Sequence, residues 1–177
     1  MARQELLIVD GYNVIFKTPR YMDLMDAPDP KSLSTDPFDR ARELLISDVA
    51  AYAQSRYTPV IVFDGSGNVS PERPNLTRAS VRLIFSKPDE TADAVIERLV
   101  TQCRFEDRPV SVVTSDNTIR ATVGGIPVTR ISSATLISDV VINEKDSRQV
   151  MADQGKKRMT VADRLDESTL AKLKELL

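Results

Sequence analysis

The chain has 177 residues, 41% hydrophobic and 28% charged, with a net charge of −2. That is enough apolar material for one globular domain, without the overall basicity of a whole-surface nucleic-acid binder. It has no histidine and one cysteine, Cys103, which excludes a Ser-His-Asp triad, a Cys-His pair, an internal disulfide and a zinc site built on thiolates or imidazoles.

The first strand is expected at LLIV (6–9), a continuous apolar run that ends in Asp10, Gly11 and, three positions after the acid, Asn13. Lys17 to Thr35 is rich in Pro and Asp and reads as a long loop. Asp36 and Pro37 have the look of an N-cap and first helical residue, followed by Phe38, Ala41, Leu45, Val49 and Tyr52 at helical spacing. PVIVF (59–63) is a second strand ending in Asp64, and Ser66 to Ser80 a second long loop. VRLIF (81–85) is a third strand. A helix over Thr91 to Val100 puts Ala92, Ile96 and Leu99 on one face and Glu90, Asp93 and Glu97 on another. PVSVVT (109–114) leads to Asp116, IPVTRI (126–131) reads as one more strand, and Ser132 to Ile142 as a helix.

From Asn143 to Thr160 the chain turns polar and charged, and a last helix is expected over Leu165 to Leu177. Near-continuous apolar strands alternating with helices predict an α/β fold, three-layered, with a mostly parallel central sheet flanked by helices and a C-terminal helical tail. The expected division is a domain over 1–143, then a charged linker and helix over 144–177. No run approaches the roughly 18 apolar residues of a membrane helix, and no signal-peptide core is visible, so the expected setting is cytoplasmic, with no membrane contact.

Three strands thus end in an acid: Asp10, Asp64 and Asp116. A single strand-end Asp is usually turn chemistry. Three on neighbouring strand ends crowd like charges, which is costly without a cation. Hard oxygen ligands suit Mg²⁺ or Mn²⁺. Glu90 and Asp93 share a helix face at i, i+3, where the helix dipole alone could favour them. DGSGN (64–68) lacks the third glycine of a dinucleotide fingerprint and the GK[ST] of a P-loop, so it reads as a turn.

LLIVDGYNVI, VIVFDG, KPDETADAVIERL and VVTSDNT, in this order, make the chain resemble the YacP-like NYN family over essentially its whole length. These are bacterial PIN-like, metal-dependent endoribonucleases, one member of which cuts mRNA on the ribosome. The resemblance implies catalytic roles for Asp10, Asn13, Glu90, Asp93 and Asp116. It also implies a metal set of Asp10, Asp64, Glu90, Asp93 and Asp116 holding Mg²⁺ or Mn²⁺. Asn13 would be a neutral ligand or a water-orienting amide, and Tyr12 a packing residue. Asn117 stands where related sequences often carry another polar or acidic group.

The implied activity is hydrolysis of RNA phosphodiester bonds, leaving 5′-phosphate ends. The expected partner is RNA, in particular mRNA, with the ribosome as a further one and no DNA. With a net acidic chain, the grip on phosphate must come from local cations. Arg73, Arg78, Arg82 and Lys87 are the candidates around the second long loop, and Lys156, Lys157 and Arg158 those in the tail. The competing readings are a catalytically weak RNA- or ribosome-binding module of the same fold, and a phosphohydrolase of free nucleotides.

Overall fold

The computed structural model describes residues 4–26, 38–65, 76–115, 122–123 and 126–157. In chain order the elements are β1 (Glu5–Asp10), α1 (Gly11–Phe16), α2 (Pro19–Asp26), α3 (Phe38–Ala53), β2 (Tyr57–Phe63), β3 (Leu76–Arg78) and β4 (Val81–Phe85). They continue with α4 (Ala92–Phe105), β5 (Val110–Val113), β6 (Thr122–Val123), β7 (Ile126–Pro127), β8 (Thr129–Ile131) and α5 (Ser133–Lys157).

Leu6 to Val9 in β1 are all buried because successive side chains enter different cores. Leu7 and Val9 join Val14, Ile15, Tyr21, Leu45, Val49, Leu136 and Val140 on one face of the sheet. Leu6 and Ile8 join Val95, Ile96, Leu99, Val100 and Cys103 of α4 on the other. Each such buried aliphatic contributes on the order of 1.5–3 kcal/mol. The result is a six-stranded sheet in the order β3-β4-β2-β1-β5-β8 with helices on both faces. All pairings are parallel except β3 with β4. β6 and β7 make a separate antiparallel pair.

Several elements differ from the sequence expectation. The stretch read as a loop from Lys17 contains α2, which is tied to α3 by polar contacts. Arg20 donates from Nε and Nη2 to the two carboxylate oxygens of Asp48, at 2.9 and 3.0 Å, and the Tyr21 hydroxyl donates to Asp48 at 2.9 Å. The second loop ends in the short strand β3, and IPVTRI is broken at Val128 into β7 and β8. The middle helix runs on to Phe105, and α5 runs on to Lys157, so residues 144–157 are helix rather than linker.

The chain divides after Val140, inside α5. The described part of the second unit is the continuation of that helix, in which most residues from 141 to 149 are exposed. Asp36, Pro37 and the helix expected over Leu165 to Leu177 lie outside the described residues.

Candidate functional site

In a parallel sheet the strands all exit on one edge, and crevices there receive ligands. β1 lies between β2 and β5. Asp10 stands in register with Val62, and Val9 with Val113. Asp64 is therefore two residues beyond the level of Asp10 on one side, and Thr114 is level with Asp10 on the other. Phe63 stands in register with Phe85, so the chain leaves β4 on this same edge. It reaches α4 within a few residues, which starts α4 there with Asp93 in its first turn. Topology thus brings Asp10, Asp64 and the Glu90–Asp93 segment to one edge.

Asp10 is buried at 8% exposure. One of its oxygens caps α1, accepting from the backbone N–H of Asn13 at 3.3 Å. Gly11 is required by close approach: a Cβ there would stand 2.4 Å from Cε1 of Phe63 and 3.0 Å from Cγ2 of Ile61. The helix can therefore lie directly against β2. Asp64 is half-buried. After it, the Gly65 N–H donates to the Ser86 hydroxyl at 2.9 Å, and a Cβ on Gly65 would meet the Ser86 carbonyl oxygen at 2.0 Å. The exits of β2 and β4 are pinned together at that point.

Asn13 makes a structural contact that its position in the sequence does not announce. Its Oδ1 accepts from the backbone N–H of Ser115 at 2.8 Å. A backbone N–H needs an acceptor, so this is the amide oxygen, and it holds the exit of β5. The same exit is fixed twice more. The Thr114 N–H donates to the Ile131 carbonyl at 3.1 Å, and the hydroxyls of Ser115 and Ser133 are 2.6 Å apart.

Glu90 is half-buried and ion-paired to Arg98, one of the exposed cations of α4. Asp93 is exposed, and Thr91 caps its helix by accepting from the Ala94 N–H at 3.2 Å. Asp116 lies outside the described residues. Among the described residues, no three acidic or cysteine side chains stand close enough together to hold a metal ion. The chemistry of the donor set nevertheless suits a hard divalent cation, since it is carboxylate oxygen throughout.

The basic candidates are dispersed. Arg78 in β3 is ion-paired with Glu43. Arg82 and Lys87 are exposed, at β4 and just after it. Lys156 and Lys157 fall in the last turn of α5, of whose side chains nothing is described, and Arg73 and Arg158 lie outside the described residues. Sequence reading missed the Ser86 and Ser133 contacts, for which single serines give no signal. It also missed Arg42, a buried cation that donates to the Tyr12 hydroxyl at 2.7 Å and pairs with Asp39. The i, i+3 acid-base spacing of Asp39 and Arg42 was the available clue. Cys103 lies in the α4 core, where burial pushes its thiol above the ordinary range, and it takes no part in the site.

Among the described residues no helix is long and apolar enough to cross a membrane. The family model for the YacP-like NYN domain matches residues 7–177. A protein of Bacillus subtilis (strain 168) described as "Uncharacterized protein YacP" is 31% identical over 141 residues, covering 80% of this chain and 78% of that one. The crystal structure of Rae1 (YacP) from Bacillus subtilis superposes with a TM-score of 0.64 at 26% identity, over 98% of this chain and 94% of that one. A mutant of the same protein gives 0.63 at 25% identity, over 98% and 100%. With the family's model matched over nearly its whole length and its fold reproduced, the chain belongs to the YacP-like NYN domain family.

Proposed function

We propose that this protein is a metal-dependent endoribonuclease that hydrolyses internal phosphodiester bonds of RNA, with messenger RNA presented on the ribosome as its substrate. The observation that carries the reading is Asp10. It is a buried carboxylate at the exit of the central strand, on the edge where Asp64 and the first turn of α4 also arrive. Family membership supports the substrate class.

Asp10, Asp64, Glu90, Asp93 and Asp116 would hold Mg²⁺ or Mn²⁺. Such an ion, when bound, supplies a water of lowered pKa and neutralises charge on the scissile phosphate. The chain's own residues set the geometry. β1 fixes the Asp10 backbone between two parallel neighbours, Asn13 ties α1 to the exit of β5, and Ser86 ties Gly65, next to Asp64, to β4. Glu90 must exchange its Arg98 partner to reach an ion, so Asp93 is the stronger ligand of that helix. Exposed cations, Arg82 and Lys87 among them, supply phosphate contacts that the acidic edge cannot.

The test is incubation of the purified chain with a defined mRNA, with and without ribosomes, in Mg²⁺, Mn²⁺ or excess chelator, with the ends mapped. Internal cuts with 5′-phosphate ends that disappear in chelator and in Asp10→Asn support the proposal. RNA or ribosome binding without cleavage in any condition replaces it with a binding module. Turnover confined to free nucleotides replaces it with a phosphohydrolase.

A further inference from the structure

Phe16 closes α1 with 51% of its surface open to solvent. Single exposed apolar residues are ordinary, and Phe105 and Ile142 are exposed too. Phe16 differs in what stands behind it. Its ring centroid is 6.1 Å from that of Tyr12 and 5.9 Å from that of Phe38, the latter edge-on at 80°. Tyr12 in turn contacts Phe38 at 5.8 Å and the fully buried Phe63 at 5.1 Å. The guanidinium of Arg42 holds the Tyr12 hydroxyl, so this backing ring is held at one end by Arg42 and packed on Phe63. An exposed aromatic face is thus mounted on rigid support.

Its position is equally specific. Phe63 immediately precedes Asp64, and Asp10 caps the start of α1. At 1.5 Å per residue, Phe16 sits about 9 Å along the helix from Asp10. The next residue, Lys17, is exposed and makes no ion pair with any described residue. A cation beside a supported aromatic ring, one short helix from the strand-end carboxylate of Asp10, matches the two surfaces of an unpaired nucleotide, its ring and its phosphate. It does not match a duplex, whose bases are already stacked on one another.

We infer that Phe16 is a stacking platform for an unpaired base of single-stranded RNA lying across the carboxyl edge of the sheet, with Lys17 on an adjoining phosphate. This rests on the endoribonuclease reading for its ligand. It assigns α1 two tasks, orienting Asp10 at one end and seating a base at the other. Because every base has a π-face, the platform fixes where the strand lies and leaves its sequence unread.

The experiment measures binding of the full chain, in the non-cleaving Asp10→Asn background, to a short single-stranded RNA containing the fluorescent base 2-aminopurine, which stacking quenches. Adding Phe16→Ala should weaken affinity about tenfold and abolish part of the quench. Phe16→Trp should retain both, since the flat ring is the feature that matters. Lys17→Ala should reduce the salt slope of binding by about one unit, and Phe16→Ala should leave that slope alone. Unchanged affinity and quench in Phe16→Ala overturn the platform. So does equal loss in Phe16→Ala and Phe16→Trp at unchanged melting temperature, which would make the contact one of shape rather than stacking. Binding losses that are as large for duplex RNA overturn it as well. The two readings fail separately. If wild type cuts RNA and Phe16→Ala binds normally, the platform alone falls. If wild type never cuts but the quench depends on Phe16, the platform stands and the nuclease reading falls.

Discussion

Replacing Asn13 with alanine should destabilise the protein and impair cleavage together. The amide oxygen of Asn13 accepts the Ser115 N–H at 2.8 Å in a part-buried setting. Removing the acceptor strands that donor, which costs about 2 kcal/mol. In a chain of this size each kcal/mol lowers the melting temperature by about 2–4 °C, so Asn13→Ala should melt about 6 °C lower. On the proposed mechanism the exit of β5 leads directly to Asp116, and an ångström of misplacement there reduces cleavage about 100-fold. Asn13→Asp separates the tether from the charge. It restores an acceptor for Ser115 but sets a second carboxylate beside Asp10, so its stability should recover with added Mg²⁺, whereas that of Asn13→Ala should not. Thermal melts by circular dichroism with and without Mg²⁺, alongside initial cleavage rates, measure all of this. An Asn13→Ala protein with wild-type melting and wild-type cleavage would refute the reasoning.

Asp10→Asn should abolish cleavage with little change in melting temperature, because the carboxamide oxygen can still cap α1. Asp10→Ala should abolish cleavage and also cost about 1 kcal/mol from the lost cap, so equal melting of the two variants would argue against the capping role. Asp48→Ala should be the most destabilising of these changes, by about 2–3 kcal/mol in urea titration, since it removes three hydrogen bonds that join α2 to α3. A loss under 1 kcal/mol would contradict that. Cys103 should resist alkylation at neutral pH until the protein is unfolded, because burial both raises its thiol pKa and blocks access; fast labelling of the native protein would show that α4 opens readily.

The parts of the fold that could be read from sequence are those whose burial is nearly complete. LLIV, PVIVF and PVSVV carry no polar alternation because β1, β2 and β5 are covered on both faces, and they are neighbours in the sheet. The α2 helix escaped notice because its stability is tertiary. Tyr21 and the Arg20–Asp48 pair secure it to α3, a contact across 28 residues that no local window contains. The extension of α5 escaped for the opposite reason. Its residues from 143 to 149 are polar and mostly exposed, and polarity alone does not separate a solvated helix from a linker.

Within the candidate site, the strand-end acids stood out as residue types in a pattern. The tethers that position them did not. Asn13 to Ser115 spans 102 residues and Gly65 to Ser86 spans 21, and their signal is geometry rather than composition. The same limitation kept Asn13's tether hidden, because an asparagine after a strand-end acid gives no local sign of a contact 102 residues away.

The order of the strands also has a consequence during synthesis. β1 leaves the ribosome before both of its sheet neighbours, β2 and β5, and Asn13 just after it waits for the N–H of Ser115. At about 5–20 residues per second, the 102 residues separating Asn13 from Ser115 take about 5–20 s to translate. Throughout that interval the carboxylate at position 10 belongs to an incomplete sheet with one of its flanks missing. A nascent copy of this chain therefore completes the carboxyl edge of its central strands late. On the proposed function, a site that acts on RNA is completed only after the segment at Ser115 has itself been translated.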